Sequence, residues 1–440
     1  MFRKILFFIL SGLLTQPLLA QNLDRAKLDQ YFDALDKAGK FMGSVALSQN
    51  GEIIYTRSVG YADVEKGIKA DDKTRYRIGS ITKTFTSVLV MKAIEENKLK
   101  LEQKLADFFP NVKNADKITL YHMLTHQSGI YNVTNRPDYL SWHTQAKSEK
   151  EMVDLIIQGG SVFEPGTNTE YSNSNYILLT YILERVYQKT YAQLLQESVT
   201  SPLALTHTAV GGKIQPQQNE AKSYQFRDTW KEEPETDMSV PAGAGNLIST
   251  PVDILKFSNG LFGGKLLKPE TVAKMTQVQK RVGAGLFAIP FHHFQGFGHT
   301  GGIDGFSSMF GHFPETKVAF AITSNGTTLA VNDIAIVLLS AVHQMPYEIP
   351  SYQKFEISEE ELAQYVGVYA SPQIPLKITI TQTGKTLSAQ ATGQQAFPLE
   401  PREKNVFVFE LAGVVMTFDP EQKTMLLKQG GGQFNFRKEQ

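Results

Sequence analysis

Residues 77–85 read RIGSITKTF. Ser80 stands where a helical period begins, with Ile81, Phe85, Val88 and Leu89 marking its apolar face, and Lys83 follows three positions on. Residues three apart on a helix share a face, so hydroxyl and amine stand within mutual reach. A serine hydroxyl is a weak nucleophile until a base takes its proton, and a lysine desolvated in a cleft has its pKa lowered enough to act as that base. The helix N-terminus adds a backbone N–H that can stabilise an oxyanion. The pattern alone is common: Ser351-Tyr352-Gln353-Lys354 also matches it, and a serine opening a helix can equally be a cap.

Two further stretches carry chemistry. In FEPGTNTEYSNSNYILL, residues 163–179, a Pro-Gly turn precedes Tyr171-Ser172-Asn173 and a helical pattern follows. A loop tyrosine beside a buried cation can exchange its proton as a general base or acid, and an asparagine amide can bind a substrate carbonyl. The plain alternative is a packed ring and a helix cap. In FGHTGGIDG, residues 297–305, His299, Thr300, Gly301 and Gly302 follow one apparent strand and lead into another. Glycine in a strand marks close approach of a ligand or of another backbone, or else a simple bulge. A backbone N–H there could complete an oxyanion hole, with His299 and Thr300 binding a substrate carboxylate or carbonyl.

In the order S-x-x-K, Y-S-N, H-T-G, these elements resemble the serine β-lactamase and penicillin-binding-protein superfamily, in its class C-like branch with D-alanyl-D-alanine carboxypeptidases and esterases. TLYHMLTHQSGI at 119–130, PAGAGNLISTPVDILKF at 241–257 and GHTGGIDGFSSMFGHFPETKVAFAITSNG at 298–326 extend the resemblance. It spans roughly residues 25–345. The resemblance implies Ser80 as nucleophile, Lys83 as its partner in proton transfer, Tyr171 as second general base or acid, and Asn173 as a substrate-amide ligand. The N–H groups of Ser80 and Gly302 would form the oxyanion hole, within a substrate-binding segment from His299 to Gly302. The implied reaction is acylation of Ser80 and hydrolysis of the acyl-enzyme, on D-amino-acid peptides, β-lactams or esters. Where relatives commonly have lysine this chain has His299, mostly neutral at pH 7. A fixed charge for a substrate carboxylate is therefore not assured.

Fold and domain organisation follow the hydropathy pattern. A helical lead-in over residues 23–38 precedes GSVALSQNGEIIYTRSVGYAD, whose alternation around Asn50-Gly51 predicts a β-hairpin. Helical periods recur near 118–125, 151–158 and 175–187, and strand patterns return at 287–297, 305–313 and 317–324, followed by a helix over 331–343. A sheet built from both ends of the sequence around a helical insertion makes an α+β fold, an α/β sandwich of antiparallel sheet flanked by helices, with a helical lobe. Pro346 and Pro350 bracket a linker. Beyond it, LKITIT, TLSAQA, NVFVFEL, VVMTF, TMLLKQ and QFNFR predict a small all-β, barrel-like domain. The expected division is a signal peptide at 1–20, a hydrolase domain at 21–345, a linker at 346–351 and an accessory domain at 352–440.

The signal peptide rests on Arg3 and Lys4 before an apolar run over residues 5–14, then Pro17 and Ala20. It implies a periplasmic or secreted protein with no stable membrane anchor after signal removal; the alternative is an uncleaved N-terminal anchor. Cysteine is absent, which excludes disulfides, thiolate catalysis and Cys-based metal sites. Lys+Arg and Asp+Glu both number 44, so no basic excess argues for nucleic acid. The expected partner is a small-molecule or peptide substrate, with peptidoglycan a candidate, and no cofactor. His122 and His126 have zinc-ligand spacing but lack the intervening Glu of a metalloprotease motif; His126 is read as structural, His292-His293 as a solvated turn, and no metal is expected. The alternative function is a non-catalytic cell-wall or peptide-binding module, with the C-terminal barrel as ligand binder.

Overall fold

The computed structural model describes residues 23–227, 229–352 and 355–439. The expected signal peptide lies outside them, as do Gln353 and Lys354 of the second S-x-x-K. The central feature is an antiparallel sheet of six strands: β1 (Phe41–Gln49), β2 (Glu52–Val59), β3 (Phe287–Phe291), β4 (Phe294–Ile303), β5 (Phe306–Phe313) and β6 (Val318–Thr327). Their spatial order is β3-β4-β5-β6-β1-β2, so the strand that opens the fold pairs with one near its end, Phe41 opposite Thr327. The β1–β2 hairpin turns at Asn50 and Gly51, both at positive φ (54° and 84°), as its Asn-Gly pair predicts.

The two sheet faces carry different side chains. Along β6, Val318, Phe320 and Ile322 face one core with Val45 and Leu47 of β1, and helices α1 (Arg25–Lys37) and α7 (Val331–Val342) cover it. Ala319, Ala321 and Ala46 face the other core, against helices α2 (Thr82–Glu95) and α6 (Pro251–Phe262). Small residues on this face fit the close Phe85–Phe257 stack, whose ring centroids are 3.6 Å apart. Helix α2 is buried around nearly its whole circumference, which makes it the axis of the helical lobe rather than a surface helix. The short α3 (Leu120–Leu124), α4 (Glu149–Gly159) and α5 (Asn173–Tyr187) complete that lobe.

The C-terminal region is a closed antiparallel barrel of eight strands: β7 (Gly367–Ala370), β8 (Lys377–Thr383), β9 (Thr386–Ala391), β10 (Phe397–Glu403), β11 (Val406–Phe409), β12 (Val414–Asp419), β13 (Thr424–Gln429) and β14 (Gly432–Lys438). Six of these match the alternating runs in the sequence. The other two escaped that pattern. β7 is only four residues long, and β10 contains Pro398 and Pro401, which argue against a strand unless a bulge absorbs them; the register does shift between Pro401 and Glu403. Tyr369, Ile380, Leu399, Phe407, Met416, Phe418 and Phe436 fill the barrel interior, so its lumen is a packed core rather than a ligand cavity.

Three local expectations change. The single strand read over 287–297 is two, divided at His292 and His293, whose exposed turn does match the reading. His299-Thr300-Gly301-Gly302 lies inside β4 rather than between strands; the turn comes at Asp304-Gly305. Ser80 belongs to a 3-10 turn, Gly79–Ile81, and α2 begins only at Thr82.

Candidate active site

That 3-10 turn results from a close approach of two backbones. Gly79 has φ 48°, and a Cβ there would lie 2.7 Å from Gly302 N; a Cβ on Gly301 would lie 2.1 Å from Ile78 O. Only glycine at these positions lets β4 lie edge-on against the turn. Ser308 Oγ, from β5, fastens the contact by donating to Ile78 O at 2.8 Å. Gly302 N is thereby set on the edge of β4 that faces the turn bearing Ser80.

Lys83 is fully buried. Its Nζ lies 2.9 Å from Ser80 Oγ, 2.7 Å from Asn173 Oδ1 and 2.7 Å from Ala244 O. These neighbours are uncharged, so nothing offsets the cost of burying an ammonium, and desolvation pushes the Lys83 pKa well below its ordinary 10.5. Asn173 Oδ1 and Ala244 O can only accept. A neutral amine meets them with its two N–H groups and turns its lone pair to the Ser80 hydroxyl.

Tyr171 approaches the same oxygen from the other side, its OH donating to Ser80 Oγ at 2.7 Å. Burial raises this phenol's pKa above its usual value, the Ser80 bond opposing that only in part. The tyrosine therefore keeps its proton. His126 holds it in place: the two rings stack with centroids 4.5 Å apart, Ser172 N–H donates to His126 Nδ1 at 3.1 Å, and Glu170 N–H donates to His126 O at 2.9 Å. His126 itself has φ 57°. His122 Nδ1 accepts from Thr119 N–H in a capping box, so both histidines of the zinc-like spacing are engaged otherwise.

Asn173 is held at both ends of its amide, Oδ1 by Lys83 and Nδ2 by Thr134 Oγ1 at 2.9 Å, while its backbone N–H donates to Asn132 Oδ1 at 3.0 Å. On β4, Thr300 and Gly302 are exposed and Gly301 half-buried. His299 is only 2% exposed, its ring 4.8 Å from that of Phe287 and 6.3 Å from that of Tyr171. Desolvation, with the nearby Lys83, lowers its pKa to about 3, so it is neutral at physiological pH. The structure thus brings Ser80, Lys83, Tyr171, Asn173 and the His299–Gly302 segment together. Two hollows of about 940 and 1020 Å3 lie elsewhere, and neither is lined by Ser80, Lys83, Tyr171 or His299.

Sequence reasoning passed over His126 as a clamp on Tyr171, and over a buried ion pair. Arg77 and Asp304, each 2% exposed, meet at 2.9 Å. Arg77 also donates to Thr236 O, to Gly212 O and to Glu235, and Asp304 accepts from Thr236 N–H and Oγ–H. The pair ties the strand before Ser80 to the turn after Gly302. Charges set among apolar and glycine residues in RIGSITKTF and FGHTGGIDG were the available signal.

A family model described as Beta-lactamase matches residues 28–342. A teichoic acid D-alanine hydrolase of Staphylococcus aureus is 30% identical over 245 residues, which are 56% of this chain and 59% of that protein. The chain thus spans less than two thirds of that relative's length. The octameric penicillin-binding protein homologue from Pyrococcus abyssi superposes with TM-score 0.69 at 21% identity, covering 94% of this chain and 100% of that one. D-amino acid amidase from Ochrobactrum anthropi SV3 superposes with TM-score 0.63 at 25% identity, covering 72% and 99%.

Proposed function

The chain belongs to the Beta-lactamase family, and from that premise we propose that it is an exported serine acyl-hydrolase that forms an acyl-enzyme on Ser80. One observation carries the reading: Ser80 Oγ lies between Lys83 Nζ at 2.9 Å and Tyr171 OH at 2.7 Å, an amine whose pKa is pushed down and a phenol whose pKa is pushed up. Groups driven apart in this way divide the acid and base roles between them.

Neutral Lys83 takes the Ser80 proton as Oγ attacks the acyl carbon, and the oxyanion forms against the N–H groups of Ser80 and Gly302. Collapse breaks the bond to the leaving heteroatom, which receives the Tyr171 proton; the Lys83 ammonium then returns a proton to Tyr171. Water attacks the acyl-enzyme by the same route: Lys83 accepts its proton, Tyr171 protonates Ser80 Oγ as it leaves, and the Lys83 ammonium again returns a proton to Tyr171. Every proton is accounted for, and both side chains end as they began.

The relatives named a D-alanine hydrolase and a D-amino acid amidase support D-amino-acid esters, amides or peptides as the substrate class, with β-lactams as acylating analogues and peptidoglycan as a polymeric candidate. Export rests on the N-terminal sequence. No helix among the described residues is long and apolar enough to cross a membrane. The domain division at 21–345, 346–351 and 352–440 belongs to the same proposal, supported by the barrel's separate apolar core.

The test is intact-mass measurement after incubation with a fluorophosphonate and with penicillin. A stoichiometric adduct on wild type that disappears in Ser80→Ala is expected. No adduct from either reagent, or one that survives the substitution, refutes the mechanism.

A further inference from the structure

The S-x-x-K spacing continues by one more step of three, from Ser80 and Lys83 to Thr86. Residues three apart share a helical face, so Lys83 and Thr86 of α2 reach the same neighbour. That neighbour is the loop 241–246. Ala244 O accepts from Lys83 Nζ at 2.7 Å, and the preceding carbonyl, Gly243 O, accepts from Thr86 Oγ1 at 2.6 Å. Thr86 is buried, and the buried Tyr191 lies behind it, with its OH 2.8 Å from Thr86 Oγ1.

The hydrogens of this cluster have one arrangement. Thr86 has a single hydroxyl hydrogen, and its other neighbours, Gly243 O at 2.6 Å and Thr82 O at 3.3 Å, only accept. With that hydrogen on the closer carbonyl, Tyr191 must be the donor to Thr86. The chain runs from Tyr191 O–H to Thr86 O–H to Gly243 O, and each donation strengthens the next.

Little else steadies the loop from its outer side. Ala242 is half-buried and lines the hollow of about 940 Å3. Thr180 Oγ1 stands 3.4 Å from Ala242 O, but it has Tyr176 O at 2.9 Å for its one hydrogen. Gly243 N–H donates to Asn246 Oδ1, within the loop itself.

We propose that Thr86, backed by Tyr191, is a positioning residue for the base, holding the Gly243 and Ala244 carbonyls so that Lys83 keeps its lone pair on the Ser80 hydroxyl. This rests on the hydrolase reading and adds to it what aligns the base. Neutral Lys83 has two N–H groups and, besides Ser80, two acceptors, Asn173 Oδ1 and Ala244 O. Without the second, the amine can turn about its last bond and carry the lone pair away from Ser80. The loss is one of alignment and not of substrate binding, since Thr86 is buried and lies beyond Lys83 from Ser80.

The test follows fluorophosphonate labelling of Ser80 over a range of reagent concentrations, which separates the limiting rate constant kinact from the half-saturating concentration KI. Thr86→Ala and Thr86→Ser both lose the methyl group and differ in the hydroxyl alone. Thr86→Ala should lower kinact by about 10–100-fold, the effect of misplacing a reacting group by up to about 1 Å, with KI unchanged. Thr86→Ser should restore most of that loss. Ser87→Ala removes an equally buried hydroxyl from the next position of α2, one that meets Tyr176 and not the loop, and should leave kinact as in wild type.

Wild-type kinact in Thr86→Ala overturns the inference, as does a loss confined to KI. An equal fall in Thr86→Ser or Ser87→Ala also overturns it, because either marks a general loosening of the helix. These outcomes leave the hydrolase reading intact, because Ser80 still takes the label. Absence of labelling on folded wild type overturns the hydrolase reading, and the inference with it. Should Thr86→Ala fail to fold, Tyr191→Phe decides alone. There Thr86 keeps its hydrogen on Gly243 O but loses the donor behind it, so a lowered kinact at unchanged KI supports the chain and wild-type kinact refutes it.

Discussion

His126 offers the sharpest test of how Tyr171 works. The perturbation is His126→Phe, which keeps a flat ring for the stack on Tyr171 but removes the Nδ1 acceptor of the Ser172 N–H. A buried backbone donor left unpaired costs about 1–3 kcal/mol. Phenylalanine at φ 57° adds roughly 1 kcal/mol of strain beyond what histidine bears there. A loss of about 2–4 kcal/mol in unfolding free energy is therefore expected, read by chemical denaturation. The catalytic effect is separable from it. Tyr171 OH must sit 2.7 Å from Ser80 Oγ, and a displacement of about 1 Å in a positioning group costs on the order of 100-fold. If Tyr171 is the acid that protonates the leaving group, the loss falls on leaving groups that need a proton. kcat/KM for an alkyl ester or amide should drop about 100-fold, and for a p-nitrophenyl ester, whose phenolate departs unaided, less than about tenfold. His126→Asn tolerates the same backbone conformation and offers an acceptor oxygen, so it should recover stability before activity. Equal losses on both leaving groups, or none on either, would refute the assignment of Tyr171 as acid and His126 as its clamp.

Four further outcomes follow from the same geometry. kcat/KM should rise with pH through the depressed pKa of Lys83, since the base must be neutral; a profile flat down to acid pH would rule Lys83 out. Because that pKa lies below 10.5 in the folded state, folding releases a proton, and unfolding free energy should climb as pH rises from the folded value toward the ordinary one; Lys83→Met should flatten that climb in denaturation midpoints. Removing one partner of the buried Arg77–Asp304 pair should destabilise by about 3–5 kcal/mol, and Arg77→Met with Asp304→Asn together by less than the sum, in a double-mutant cycle. Gly301→Ala forces a Cβ to 2.1 Å from Ile78 O, so it should displace the Gly302 N–H and slow labelling of Ser80 by fluorophosphonate; wild-type labelling rates would count against that oxyanion hole.

Much of the site was legible because its chemistry needs particular residue types at short spacing. Ser80 and Lys83 lie on one stretch of chain, so their contact follows from backbone geometry, and the glycines of FGHTGGIDG announced the close approach found at Ile78 and Gly79. The β1–β2 hairpin and six barrel strands followed from turn residues and alternation. What stayed hidden depends on contacts between distant segments. Nothing local relates His126 to Tyr171, and a left-handed histidine has no spacing signal. Asn173 could be marked as a ligand from its type, but its engagement by Lys83 and Thr134 appears only once three segments converge. Strand β10 was masked by its prolines, which a bulge absorbs, and the 3-10 turn at Ser80 is set by β4 pressing on Gly79 rather than by helix propensity.

The pairing of Phe41 with Thr327 also governs the order in which the chain can become a protein. The first strand can pair with β2 at once, but its other neighbour, β6, must wait through the synthesis of the whole helical lobe, and such non-local closure is slow. The barrel is the reverse: neighbouring strands pair in succession, and only the closure of Tyr369 onto Lys438 joins its ends. A chain emerging N-terminus first would therefore keep its hydrolase sheet open until late, while its last-made segment needs only local contacts to fold. On the export route proposed above, that delay favours passage through a translocation pore before the catalytic sheet has locked.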